Sequence, residues 1–132
     1  MTDPLVEWLR AVLEEAERAA LACSHRAWTR DGGSIYGDHE TDPIVDWVYD
    51  DGAWEHIARH DPASVLADIA AKRAILEFAD RVLAARDEHD ATGALFSVPI
   101  ARARIRDVLR LLASAYRDRP GFLPEWEPVR HD

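Results

Sequence analysis

The chain has 132 residues, 48% hydrophobic and 31% charged, a balance that fits one folded domain rather than a disordered segment. Its formal net charge of −9 argues against a protein that tracks phosphates along nucleic acid, because that task needs a basic face. With Cys23 as the one cysteine there is no intrachain disulfide and no cysteine-based zinc motif, and no apolar run nears the ~20 residues of a membrane span.

The first twenty residues carry acids from the start and lack a basic stretch followed by an apolar one, so no secretory signal is read and a cytoplasmic location is expected. Asp3-Pro4 is a helix-start signal, with Asp as N-cap and Pro at the first helical position. Leu5, Leu9, Val12, Leu13 and Ala16 then recur at helical spacing and predict a helix over about 4–24, with Cys23 on its inner face. Residues 26–50 change character: Gly, Asp, Thr and Pro punctuate short β-branched and aromatic runs. Asp31-Gly32-Gly33 reads as a tight turn and "IVDWVY" as a strand, which predicts a small antiparallel hairpin or sheet. Such a sheet is marginal alone, so Trp28, Tyr36, Trp47 and Tyr49 are expected to pack it on helices.

A short helix follows over about 53–60, and Asp61-Pro62 stops it and starts the next. The long helix, about 62–89, gathers Val65, Ile69, Leu76, Ala79 and Leu83 on one line, flanked by Leu66, Ile75 and Val82. "DATG" breaks it. Ser97 caps a final helix over about 97–117, with Val98, Ala101, Ile105, Val108, Leu109, Leu112 and Tyr116 inward and Ile100 and Leu111 outward. The tail, 118–132, is read as extended and pinned back by Phe122, Leu123 and Trp126. The expected fold is therefore α+β and mostly helical: an N-terminal helix, a small antiparallel sheet, a short helix, a long helix and an antiparallel C-terminal helix.

Four groups of residues are candidates for chemistry. His56 and His60 stand four apart, which puts two imidazoles on one helical face; with His39 and Asp61 they form a candidate metal set for zinc or another divalent ion. The bland reading has His60 facing the dipole at the end of a short helix, and no Glu stands between the two as in HExxH. Lys72, the one lysine of the chain, falls near the centre of the long helix's apolar stripe. A lone buried ammonium is costly, so Asp68, four residues earlier, is its expected partner; a catalytic amine is the sharper alternative. Arg18 and His25 match the Arg-x4–6-His spacing of a helical ribonuclease superfamily called HEPN, a permissive pattern that the acidic charge does not favour. The acidic run Asp38, Glu40, Asp42, Asp46, Asp50, Asp51 and Glu55 lacks the EF-hand ligand order and reads as a solvated surface or a face for a basic partner.

"HIARHDPASVLADIAAKRAIL", followed later by "LRLLASAYRDRPGFLPEW", resembles a family of short uncharacterised proteins of high-GC bacteria and their phages, a domain of unknown function. The resemblance spans most of the chain in order and implies a helix, a Trp-containing hairpin, the central segment and the matching C-terminal ending. Many members carry a Cys-rich stretch before the final helix. Here "DEHDATGALFSVP" holds no cysteine, so a metal role implied by that stretch does not carry over. The expectation is a non-enzymatic accessory module, phage or mobile-element encoded, that binds a protein partner or a second copy of itself, without cofactor, nucleic acid or membrane. The competing expectation is a small metal-dependent hydrolase built on His56 and His60.

Overall fold

The structure is a computed structural model and describes residues 2–37, 43–47, 51–85 and 97–130. Within these the chain forms helices α1 (Pro4–Ala22), α2 (Asp51–Arg59), α3 (Pro62–Ala84) and α4 (Val98–Ser114), strands β1 (Thr29–Asp31), β2 (Ser34–Tyr36) and β3 (Pro43–Val45), and a 3₁₀ turn at Pro124–Trp126. It is α+β and mostly helical. The chain divides into two compact units, Met1–Leu13 with Lys72–Asp132, and Glu14–Ala71.

In the first unit, Asp3 starts α1 as its sequence signal required: its Oδ1 accepts from the Leu5 amide at 2.9 Å and its carbonyl from the Glu7 amide at 3.1 Å. Leu5, Val6, Leu9, Val12 and Leu13 are buried, as are Leu76 and Ala79 of α3 and Ile105, Leu109 and Ala113 of α4. Truncating a buried leucine of this kind to Ala costs about 2–5 kcal/mol. Arg10 of α1 is ion-paired with Asp80 of α3, and Arg106 of α4 stands 3.8 Å from Asp3. α3 is described to Ala84, whereas the sequence reading carries it to about 89, up to the "DATG" break; residues 86–89 lie outside the described residues. The Ala85 amide bonds the Val82 carbonyl, and the Ala85 carbonyl is taken by the Arg102 guanidinium of α4, so the last turn is tightened and then tied off. Ser97 caps α4 with its hydroxyl accepting from the Ile100 amide at 3.3 Å.

The tail folds back on α1 through aromatic rings rather than running free. Trp8 donates its indole N–H to the Pro120 carbonyl at 2.9 Å and packs on Phe122 and Trp126 at centroid distances of 5.6 and 5.3 Å. Gly121 makes this approach possible: its φ is +86°, and a Cβ there would lie 3.0 Å from the Trp8 indole nitrogen. The expected pinning by Phe122 and Trp126 is therefore present, whereas Leu123 is exposed.

In the second unit the three strands form an antiparallel sheet in the order β1-β2-β3. Asp31 and Ser34 pair across a two-residue turn in which Gly32 alone has positive φ (+59°), the requirement of a type II′ hairpin. Ile35 on the central strand is fully buried. Pro43 lies on the edge strand β3, where its missing N–H costs no ladder bond on the open side. α2 packs on β1 and β2, with the Arg30 guanidinium 3.9 Å over the Trp54 ring. Trp28 is half-buried, but Trp47 is largely exposed, its ring lying over Gly33 rather than under a helix. Tyr49 lies outside the described residues.

The aromatic clamp yields a stability prediction. Trp8→Ala should lower the unfolding free energy by about 2–3 kcal/mol, since Trp8 is only half-buried, and Trp8→Phe should lose less. Urea denaturation measures both, and an unchanged midpoint for Trp8→Ala would show that the tail does not hold this unit.

Candidate functional site

Asp61 accepts hydrogen bonds at both carboxylate oxygens, and these connections are structural. Its Oδ1 accepts from the Ser64 amide at 2.8 Å, capping α3, and its Oδ2 accepts from the Trp28 amide at 3.2 Å. The Ala63 amide donates to the Arg26 carbonyl at 2.8 Å, so the segment leading into β1 is stitched to the start of α3 at two points. Burial by itself raises the carboxyl's pKa, but the bonds from the Ser64 amide and hydroxyl and the Trp28 amide outweigh it and hold the group below its ordinary value of 3.8. Both oxygens of this proposed metal ligand are thus engaged by backbone donors.

His56 and His60 are brought together, with ring centroids 4.2 Å apart and planes tilted by 37°. His60 Nδ1 lies 2.7 Å from the His56 carbonyl; a carbonyl only accepts, so Nδ1 carries the proton and Nε2 is the nitrogen left for another partner. Both rings are on exposed residues. His39, the third imidazole of the candidate set, lies outside the described residues, as do Asp38, Glu40, Asp42 and Asp50. Among the described residues no group of three or more His, Cys, Asp or Glu side chains is placed to hold a metal ion.

Lys72 is half-buried on α3, and its ammonium donates to the Tyr116 hydroxyl at 2.6 Å while lying 5.1 Å from the Tyr116 ring centre. The sequence placed Tyr116 inward without linking it to Lys72, because the two are 44 positions apart. Asp68, the partner expected from spacing, is on an exposed position one turn earlier.

Arg18 and His25 do not share a helical face. α1 ends at Ala22, three residues before His25, where the sequence pattern continued to 24. The His25 ring instead lies against Gly37, whose Cβ, if present, would be 2.2 Å from the His25 Cγ. Cys23, expected on the inner face of α1, sits beyond its end, half-exposed, with Sγ 3.7 Å from the Ala19 carbonyl. A hollow of about 340 Å³ lies beside it, lined by Cys23, His25, Trp28 and Ile44 among others. Two further hollows, of about 420 and 330 Å³, share Asp3, Pro4 and Arg106.

The most unusual surface is on α4. Ile100 is 58% exposed, Leu111 61% and Val108 43%. At about 100° per residue these three and Arg104 fall within about 80° of the helix circumference, away from buried Ile105, Leu109 and Ala113. The sequence placed Ile100 and Leu111 outward but Val108 inward. Val108 belongs with the exposed group because it sits at the margin of the buried arc, and that margin faces solvent. Ile75 and Phe78 of α3 are exposed as well.

With this geometry in place, a family model described as "Family of unknown function (DUF6221)" matches residues 2–128. The chain belongs to that family. No curated protein and no solved structure matches it. No helix among the described residues is long and apolar enough to cross a membrane.

Two predictions come from these residues. Asp61→Ala should cost about 1–2 kcal/mol through the lost cap and the lost Trp28 tether, and Asp61→Asn less, because Asn still caps. A carboxyl held low in the folded state adds stability above its unfolded value, and that contribution disappears as pH falls through the folded value. The difference between wild type and Asp61→Asn, measured by urea denaturation, should therefore be constant near neutrality and shrink below about pH 4. Tyr116→Phe should cost about 1 kcal/mol by the same measurement, for the loss of one hydrogen bond to a charged donor, and a neutral substitution would sink a stabilising role for the pair.

Proposed function

We propose that this protein works by docking a protein surface on the outward face of α4 rather than by catalysing a reaction. The observation that carries the reading is the stripe Ile100–Val108–Leu111, three large aliphatic side chains left to water on one side of a helix whose other side is buried. Removing such surface from water is worth about 25 cal/mol per Å², so a cover for this face gains free energy that an ordinary surface helix does not offer. A charge of −9 disfavours a nucleic-acid occupant and leaves a polypeptide as the fitting one. An accessory role, in which binding rather than turnover is the output, accords with side chains whose oxygens are spent on caps and ties, as those of Asp61 and Ser97 are.

A photo-crosslinking amino acid in place of Leu111 tests this in the native host. Irradiation should give a protein adduct, to any chain including its own, that is lost when Ile100→Arg is added and absent when the probe stands at exposed Glu125 instead. No adduct from position 111 above that control would overturn the docking reading.

A further inference from the structure

We infer that the occupant of the α4 face is a second copy of the same chain, packed antiparallel so that α4 meets its own two-fold mate. This rests on the docking reading above and names its partner. The face is self-complementary about the midpoint between Ile105 and Arg106. Ile100 and Leu111 lie at equal distances on either side of that midpoint, as do Arg104 and Asp107. In an isologous antiparallel pair, residues symmetric about the axis stand opposite each other across the interface. Ile100 then meets the second copy's Leu111, and the Arg104 guanidinium meets the Asp107 carboxylate, each contact occurring twice.

Within one chain both charged groups are held only by long i,i+3 pairs, for which a second copy's groups would compete. Arg104 and Asp107 approach each other within one helix only to 3.9 Å, and Asp107 also stands 3.9 Å from Arg110. Arg104 is among the most exposed side chains of α4. A parallel pair would instead set Arg104 beside Arg104 and Asp107 beside Asp107, with like charges in register and helix dipoles aligned. The charge order along the helix therefore selects the antiparallel partner, while the aliphatic residues at both ends supply the buried area.

Sedimentation of the full chain over a range of concentrations tests the pairing. Wild type should dimerise, and Leu111→Arg should raise the dissociation constant by about 100-fold. R104D places two Asp pairs across the axis and D107R two Arg pairs, so each alone should weaken the dimer by about tenfold or more. Mixed in equal amounts, the R104D and D107R chains should associate within a few-fold of wild type, since each then offers what the other lacks. Restoration between separate chains cannot arise from pairing inside one helix. Far-ultraviolet circular dichroism checks that these exposed substitutions leave the fold intact. A wild-type monomer at about 100 μM, a dimer indifferent to Leu111→Arg, or a mixture no tighter than its components would each overturn the inference. If the purified chain is monomeric while the position-111 probe captures a different polypeptide, the second copy is excluded and the docking reading stands. If the probe captures nothing, both fall.

Discussion

A single carboxylate organises the second unit. Asp61 must end one helix, begin another and hold the chain that enters the sheet, and it does so because a carboxylate accepts at both oxygens. One oxygen takes an orphan amide at the start of α3, and the other takes the Trp28 amide. Pro62 beside it is buried and has no N–H to satisfy, so α3 starts there without leaving a donor stranded. The Arg26 carbonyl then accepts from Ala63 and the segment is fixed at both polar groups. From there Thr29–Asp31 can run straight into the hairpin, and α2 lies over the strands with Trp54 beneath Arg30. The ionised form is kept because the bonds it accepts outweigh its desolvation.

The first unit uses a different device for the same problem of fastening an irregular segment. Its tail has three prolines and no period, so backbone ladders cannot hold it. Three aromatic rings and one indole hydrogen bond hold it instead, with Gly121 supplying the left-handed residue that brings the chain close to Trp8. The helices of this unit are joined by arginines: Arg10 to Asp80, Arg106 to Asp3, Arg102 to the end of α3. The inner side of α4 is thus spent on core and ties. Its outer side keeps aliphatic residues that no described part of the chain covers, and the proposed docking role is argued from that surplus.

The histidines show why spacing is a weak guide to chemistry. The i,i+4 rule did bring the His56 and His60 rings together. It could not show that His60 would spend a ring nitrogen on the His56 carbonyl, or that Asp61 would spend both oxygens on amides. In the same way Lys72 was legible as a cation in an apolar stripe needing a partner, but its bond to Tyr116 joins residues 44 positions apart and leaves no local signature. Arg18 and His25 had the spacing of a helical pair, yet the helix ends between them and the imidazole lies against Gly37.

What the sequence alone determined is local. Helix starts at Asp3, Asp61 and Ser97, the glycine turn at 32–33 and the apolar stripes of α1, α3 and α4 follow from capping chemistry, permitted φ and periodicity, all of which act over a few residues. The family's segments were readable for the same reason, since they are short ordered patterns. What only the tertiary structure decided is where polar atoms found distant partners and which apolar residues were left over. The end of α3 at Ala84 depends on a guanidinium from α4, the exposure of Val108 and Trp47 on what packs beside them, and the aromatic clamp on a glycine 113 positions from Trp8. Those outcomes depend on long-range packing competing with local preference, and periodicity carries no information about which neighbour wins.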